Sequence, residues 1–294
     1  MPSLHHLPAP AKLNLFLHIT GQRSDGYHLL QSVFVLIDWA DTLHIDTRDD
    51  GQLHRHDLGP ALPADDLCLR AARVLQQASG SLLGADIHID KKLPWGAGMG
   101  GGSSDAATVL LALNQLWRLN WPRERLAELA VQLGADVPFF VHGHNAWVEG
   151  IGEQVMPIAL PAELLDTPVA VLKPPVAVPT QAIFASPHLS RDTEAATISL
   201  FLAAPKCFGR NDLQAPAEHY SSQISKALEV MQSRFGNSRM TGSGSAVFSW
   251  VNSPDAHLTA PSSFVPANVS LDDPAWAGRL CRVLVRHPLF DVLA

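Results

Sequence analysis

One stretch constrains this chain more than any other: Pro94-Trp-Gly-Ala-Gly-Met-Gly-Gly-Gly-Ser-Ser104, running into a helical segment from Asp105 to Trp117. Five of its eleven residues are glycine. Without a Cβ the backbone can take positive φ and come close to a ligand. Ser103, Ser104 or Asp105 can cap the following helix, whose Val109, Leu110, Leu113, Leu116 and Trp117 share one face at helical spacing. Free N–H groups and the positive end of a helix dipole then face one concavity, which is an anion site with phosphate as its usual occupant.

Three types of phosphate loop make different demands on these glycines. A Walker loop requires a lysine before its final hydroxyl, and none lies between Lys92 and Ser104. Gly96, Gly98 and Gly101 satisfy Gly-x-Gly-x-x-Gly, but Pro94 interrupts the approach strand. The stretch about 20 residues on, where a second strand should end in an acid, is Arg118-Leu-Asn-Trp-Pro122. A protein-kinase loop would need His-Arg-Asp and Asp-Phe-Gly downstream, and neither occurs. The remaining reading is a loop that wraps phosphates and hands over to a long helix, against the alternative of a structural turn.

The first strand is expected over Ala11 to Thr20, with Leu13, Leu15, Leu17 and Ile19 on one face and Lys12, Asn14, Phe16 and His18 on the other. After the turn Gly21 to Gly26, Tyr27 and His28 open a second strand through Val33, Val35 and Ile37. A further strand pair is expected at Leu43–Thr47 and Gln52–His56, joined at Asp49-Asp-Gly51. Asp65 is expected to cap a helix over Leu67 to Ala78, and a strand Asp86–Asp90 leads to Lys91 and Lys92, which either meet phosphates or are solvated. Pro122 opens a helix that Gly134 closes. Asp136 then falls just past a helix end, a poor place for a carboxylate on dipole grounds, so it reads either as a turn residue or as an acid kept for function.

From about Pro161 the chain gives a strand (Pro168–Leu172), a short helix bearing Phe184, and a helix through Ile224, Leu228, Met231 and Phe235. A second glycine turn, Met240 to Ser245, feeds a strand Ala246–Trp250. Residues Val251 to Pro274 read as a loop, and Cys281–Val285 as a last strand. The order of elements is that of an α/β (α+β) protein in two lobes. With 21 basic and 28 acidic residues the formal charge is −7, which argues against a broad nucleic-acid surface. No apolar run nears the ~18–20 residues of a membrane span, and the N-terminus lacks the pattern of a signal peptide. Three widely spaced cysteines form neither a disulfide framework nor a metal knuckle, so a cytoplasmic setting is expected.

Pro10-Ala-Lys-Leu-Asn-Leu-Phe-Leu17, the loop Pro94–Ser104 and Met240-Thr-Gly-Ser-Gly-Ser245 together resemble the three motifs of the GHMP kinases (galacto-, homoserine, mevalonate and phosphomevalonate kinases). Gly21-Gln-Arg-Ser-Asp-Gly-Tyr-His28 with Gly134-Ala-Asp-Val-Pro138 resembles the branch that acts in non-mevalonate isoprenoid precursor synthesis on a cytidine-diphosphate substrate. The resemblance is nearly continuous from Pro10 to Glu153 and patchy through Asn211-Asp-Leu213 to Phe248. It implies a ribosomal-S5-like N-terminal lobe over residues 1–160 and a ferredoxin-like lobe over 161–294, with the last strand free to return to the first lobe. It also implies ATP at Pro94, Trp95, Gly96, Ala97, Gly98, Met99, Gly100, Gly101, Gly102, Ser103 and Ser104, accompanied by Mg²⁺ with no metal ligand assigned.

On the same resemblance Asp136 is the catalytic base and Lys12 its partner, Asn14 holds the acceptor alcohol, and Tyr27, His28 and Phe184 take the cytidine end. Two alternatives stand beside this. Retention of both Lys12 and Asp136 speaks against a catalytically silent nucleotide binder. Asp25-Gly-Tyr-His28 speaks against another GHMP-type kinase, such as one for homoserine or mevalonate.

Overall fold

A computed structural model describes residues 1–64, 66–252 and 276–293. The elements run β1 (Ser3–Gln22), β2 (His28–Arg48), β3 (Leu53–Asp57), α1 (Leu67–Ser79), β4 (Gly84–Asp90), α2 (Gly101–Leu116), α3 (Arg123–Ala130), α4 (Val137–His142), β5 (Ala146–Glu149) and β6 (Gln154–Pro157). There follow α5 (Ala162–Asp166), β7 (Val169–Lys173), α6 (Thr180–Phe184), α7 (Ile198–Ala203), α8 (Gln214–Tyr220), α9 (Ser222–Phe235), β8 (Arg239–Met240), β9 (Val247–Trp250) and β10 (Ala277–Cys281). The first six strands form one sheet, ordered β3-β4-β2-β5-β6 with β1 along β2, and the last four form a second, ordered β10-β7-β9-β8.

β2 organises the first sheet. It pairs antiparallel with β1 on one side; on the other, its Ser32–Phe34 segment meets β5 and its Thr42–Arg48 segment meets β4. The expected hairpin at Asp49-Asp-Gly51 therefore does not form. The residues do make strands, but β4 lies between them and β3 pairs with it in parallel. The strict alternation expected along β1 also breaks, at a register shift between Asn14 and Leu17. Leu13, Leu15 and Phe16 face one core cluster, and Leu17 and Ile19 the other. Between Ala9 and Ile19 neither face of β1 is solvated: Lys12, Asn14 and Phe16 are each no more than 3% exposed. Phe16 packs against Phe208 and Phe201 of the second half, at centroid distances of 5.0 and 6.1 Å.

Several boundaries differ from the expected ones for local reasons. The helix after the glycine loop starts at Gly101, four residues early, because Gly100 takes the left-handed conformation (φ 70°) at its N-cap; no side chain caps it. Almost every residue from Ser104 to Leu116 is buried, since α1, α4 and both long strands surround α2. Asp66 caps α1 by accepting from Leu69 N at 3.1 Å, where Asp65, outside the described residues, was expected to do so. α3 ends at Ala130, and Gly134 lies beyond it without a left-handed φ.

The last strand covers Ala277–Cys281 and pairs with β7. Beyond it the chain crosses back onto the first sheet, where Leu284 N donates to Leu36 O at 2.8 Å and His287 N to Gly143 O at 2.8 Å. Most of the expected loop over 251–274 lies outside the described residues. Among those described, no helix is long and apolar enough to cross a membrane.

Candidate active site

The two glycine stretches, distant in sequence, are stitched together. Ser245 N donates to Gly96 O and Ala246 N to Ala97 O, both at 3.1 Å. Gly98 (φ 72°) approaches so closely that a Cβ there would stand 2.4 Å from Thr241 O. Lys12 N donates to Met99 O at 2.9 Å and so ties the loop to β1. A Cβ on Gly100 would lie 2.9 Å from the Phe140 ring and 3.2 Å from Lys12 Cγ. Only glycine lets the first turn of α2 sit against Lys12 and α4. The backbone N–H groups of Gly101, Gly102 and Ser103 make no hydrogen bond within the described chain, as the first turn of a helix dictates.

The amides of Gly101 and Gly102 border a cavity of about 350 Å³ lined by Pro94, Trp95, Gly98, Gly102, Lys91 and Asp105, among others. Of the predicted loop residues, Gly96, Ser103 and Ser104 do not line it. Gly96 lies against Ala177, and Ser104 is fully buried with a hydroxyl that finds no partner among the described residues.

Lys12, Asn14 and Asp136 meet at the end of α2. Lys12 Nζ donates to Asn14 Oδ1 at 2.5 Å, stands 3.5 Å from Asp136 Oδ2 and lies 4.5 Å from the centre of the Phe34 ring. Asn14 is fixed in turn: its N–H donates to Thr241 Oγ1 at 2.8 Å, and its Nδ2 to Ser32 Oγ at 3.0 Å. The Lys12 side chain is 4% exposed and that of Asp136 31%, so the carboxylate faces the opening and the ammonium stands behind it. Burial lowers the Lys12 pKa, and the charge of Asp136 opposes that shift. Asp136 does not follow a helix; it is the N-cap of α4, with Pro138 at the second helical position. The dipole cost expected for it is reversed, because a carboxylate at a helix N-terminus is favoured. Its side chain makes no capping bond and stays available.

The two lysines before the loop separate cleanly. Lys92 is exposed and pairs with Asp90. Lys91 is held between Asp41, on β2, and Asp105 Oδ2 at 2.6 Å. Burial alone would lower the Lys91 pKa, but the two carboxylates hold it above the ordinary lysine value. Asp41 also accepts from Lys92 N and from Leu93 N (2.5 and 2.8 Å), which pins the entry to the glycine loop. Asp105 keeps a buried Oδ1 that has no partner among the described residues, and burial pushes the pKa of its carboxyl up.

A second cavity, of about 600 Å³, is lined by Tyr27, His28, Thr180, Gln181, Phe184 and Arg191, among others. The His28 and Phe184 rings are 5.1 Å apart, and Tyr27 is 59% exposed beside them. His28 precedes Ser32 by four residues on β2, so about 13 Å of strand joins this cavity to the Lys12–Asn14 cluster. Thr241, Asp41 and Arg191 were not singled out from the sequence. Their contacts span 227, 50 and 163 residues, and no local pattern encodes such pairings.

Residues 66–144 match the family model described as the GHMP kinases N terminal domain. The sequence is 63% identical, over 98% of both chains, to the 4-diphosphocytidyl-2-C-methyl-D-erythritol kinase of Methylibium petroleiphilum. It is 55% identical to the kinase of the same description from Albidiferax ferrireducens, over 98% of this chain and 95% of the relative. A crystal structure of a 4-(cytidine 5'-diphospho)-2C-methyl-D-erythritol kinase superposes with a TM-score of 0.72 at 34% identity, covering 86% of this chain and 91% of that one. A homoserine kinase from Cytophaga hutchinsonii, 15% identical over 98% and 96% of the two chains, shares the fold with a TM-score of 0.67.

Proposed function

The chain belongs to the GHMP kinases and, within them, to the 4-diphosphocytidyl-2-C-methyl-D-erythritol kinases, and from that premise we propose how its residues carry the reaction. It is an ATP-dependent small-molecule kinase acting on 4-diphosphocytidyl-2-C-methyl-D-erythritol in non-mevalonate isoprenoid precursor synthesis. The phosphoryl acceptor is the 2-hydroxyl. The observation that carries the assignment of roles is the juxtaposition of Lys12 and Asp136, 3.5 Å apart, beside the first turn of α2.

In this reading the nucleotide occupies the cavity at Pro94–Gly102, and its phosphates take the free amides of Gly101 and Gly102. Asp136 accepts the proton of the substrate hydroxyl as its oxygen attacks the γ-phosphorus and ADP departs. Lys12 places positive charge against the developing negative charge, and Asn14, braced by Ser32 and Thr241, orients the alcohol. The cytidine lies between Tyr27, His28 and Phe184, with the diphosphate spanning the interval along β2.

Mg²⁺ fits this set. Among the described residues no group of three or more His, Cys, Asp or Glu could hold a metal. Mg²⁺ instead takes most of its oxygens from phosphates and water, and Asp105 Oδ1, unpartnered among the described residues and in the wall of that cavity, would supply a hard protein donor. When bound there it neutralises phosphate charge. In this reading residues 1–160 make the ATP-binding lobe and the chain from 161 to Cys281, as far as it is described, the second lobe; the two meet where the glycine turns interlock, and the stretch after Cys281 returns to the first lobe.

A coupled ADP-release assay with 4-diphosphocytidyl-2-C-methyl-D-erythritol, homoserine and mevalonate as acceptors tests the reading. ADP release only with the first supports it; equal release with homoserine or mevalonate refutes it.

A further inference from the structure

The Asp136 carboxylate has little of its own to hold it. It makes no capping bond, and among the described residues its ionic partner is Lys12 Nζ at 3.5 Å. Its place is therefore set by α4, a helix of six residues, too short to keep its pose by internal hydrogen bonds alone. Packing fixes one side of α4: Phe139 meets Phe34 at a centroid distance of 5.3 Å, and Phe140 lies against Gly100. Two hydrogen bonds from outside fix its far end. Gly143 O accepts from His287 N at 2.8 Å, and Val141 O accepts from Arg123 Nη1 at 2.7 Å. The other terminal nitrogen of Arg123 donates to Phe290 O at 2.7 Å and to Leu293 O at 2.9 Å, and the guanidinium lies 4.7 Å from the centre of the Phe290 ring. One side chain at the start of α3 thus clamps the end of the Asp136 helix to the segment that returns from β10. Arginine suits the place, because its donors leave a rigid fork and a cation is favoured at the carbonyl end of a helix.

We propose that Arg123 is a positioning residue for phosphoryl transfer, acting through α4 to hold the Asp136 carboxylate against the acceptor hydroxyl. The inference rests on the assignment of Asp136 as the base. Arg123 lines neither cavity, so its effect has to travel through the helix. The lever is short. Six residues span about 9 Å, so a tilt of about 6° at one end moves the other by about 1 Å. A misplacement of about 1 Å can cost about 10²-fold in rate. Lys12 does not move with α4, since it sits on β1 with its N–H on Met99 O and its Nζ on Asn14 Oδ1. A tilted α4 therefore draws the base away from a fixed ammonium and leaves both cavities in place. The loss falls on the transfer step and spares binding.

The test is a double-mutant cycle on the full-length protein. Transfer from radiolabelled ATP to 4-diphosphocytidyl-2-C-methyl-D-erythritol is followed in single turnovers, with enzyme in excess so that slow variants are read. Arg123→Gln should lower the transfer rate about tenfold or more, with KM for ATP and for the acceptor within about twofold of wild type. Arg123→Lys, which brings a charged donor to Val141 O, should recover most of the rate. In the Asp136→Asn background Arg123→Gln should slow transfer by less than about twofold, because the group it positions is gone. An equal loss in both backgrounds would show that Arg123 acts on the fold at large and would overturn the inference, as would an unchanged rate in Arg123→Gln. Should Arg123→Gln fail to fold, Phe290→Leu, which removes the ring beside the guanidinium, takes its place in the cycle. A loss seen with Asp136 and absent with the asparagine supports the inference there; an equal loss, or none, overturns it. Equal transfer by Asp136→Asn and wild type would strike the base itself, and the inference with it. A large loss in Asp136→Asn beside an Arg123 effect of the same size in both backgrounds strikes Arg123 alone.

Discussion

Replacing Gly98 by alanine should damage the protein far more than replacing Gly102, although both lie in one glycine run. At Gly98 the backbone has φ 72°, and a Cβ would stand 2.4 Å from Thr241 O and 3.0 Å from both Gly244 N and Gly244 O. All three are backbone atoms in the facing turn and cannot rotate away. Left-handed backbone costs a residue with a Cβ about 1–2 kcal/mol, and overpacking adds about 1–3 kcal/mol. Gly98→Ala should therefore lose about 2–5 kcal/mol. Gly102 has no left-handed φ, and its nearest neighbour would be Leu67 Cδ1 at 3.6 Å, an ordinary contact. In the first turn of α2 alanine should gain up to about 1 kcal/mol. Urea unfolding of both variants measures the difference, and KM for ATP should rise in Gly98→Ala as the cavity wall is pushed out. If the two variants fall within about 1 kcal/mol of each other, the interlock of the two turns does not hold the loop in place and the steric reasoning fails.

Two further predictions concern pH. His287 is buried, and burial followed by the Arg123 charge depresses its pKa from 6.5 to about 3. Between those values the unfolded chain binds a proton that the fold excludes, so this contribution is whole above pH 6.5 and shrinks as pH falls, by about 2 kcal/mol at pH 5. Urea midpoints at pH 7 and pH 5 should move less in His287→Gln than in the wild type; equal movement would remove His287 as the cause. Burial lowers the Lys12 pKa against the opposing charge of Asp136, so activity should be lost on the alkaline side before pH 10.5, the ordinary lysine value. A pH profile of kcat/KM checks this, and a limb at or above 10.5 would show that Lys12 does not set it.

The features legible in the sequence were those whose chemistry is written in consecutive residues. The glycine run, the Lys12-x-Asn14 pair and Tyr27-His28 each fall at the cavities or the cluster described. What the sequence hid was set by partners far along the chain. The strand β3 lies beside β4 rather than β2, and a parallel neighbour leaves no turn signal to read. β2 runs on through polar Asp38, Asp41 and Thr42, which look like a break until Arg282, the glycine-loop entry and β4, in that order, are seen to take them. For Asp136 a signal was present: Asp-Val-Pro places a proline in the first turn of a new helix. Reading the acid as the end of the preceding helix reversed the sign of its dipole interaction. Lys91 could not be told from Lys92 because Asp41 and Asp105 reach it from 50 and 14 residues away.

The central claim is that Asp136 takes the proton of the acceptor hydroxyl beside Lys12. Substrate-dependent ADP release and ATP binding, measured on the wild type and on Asp136→Asn, test it most directly. The asparagine keeps the shape and loses the base. A fall in kcat of at least about 10²-fold with ATP affinity unchanged is the predicted result. Equal turnover in the two proteins would contradict it and take Asp136 out of the chemistry.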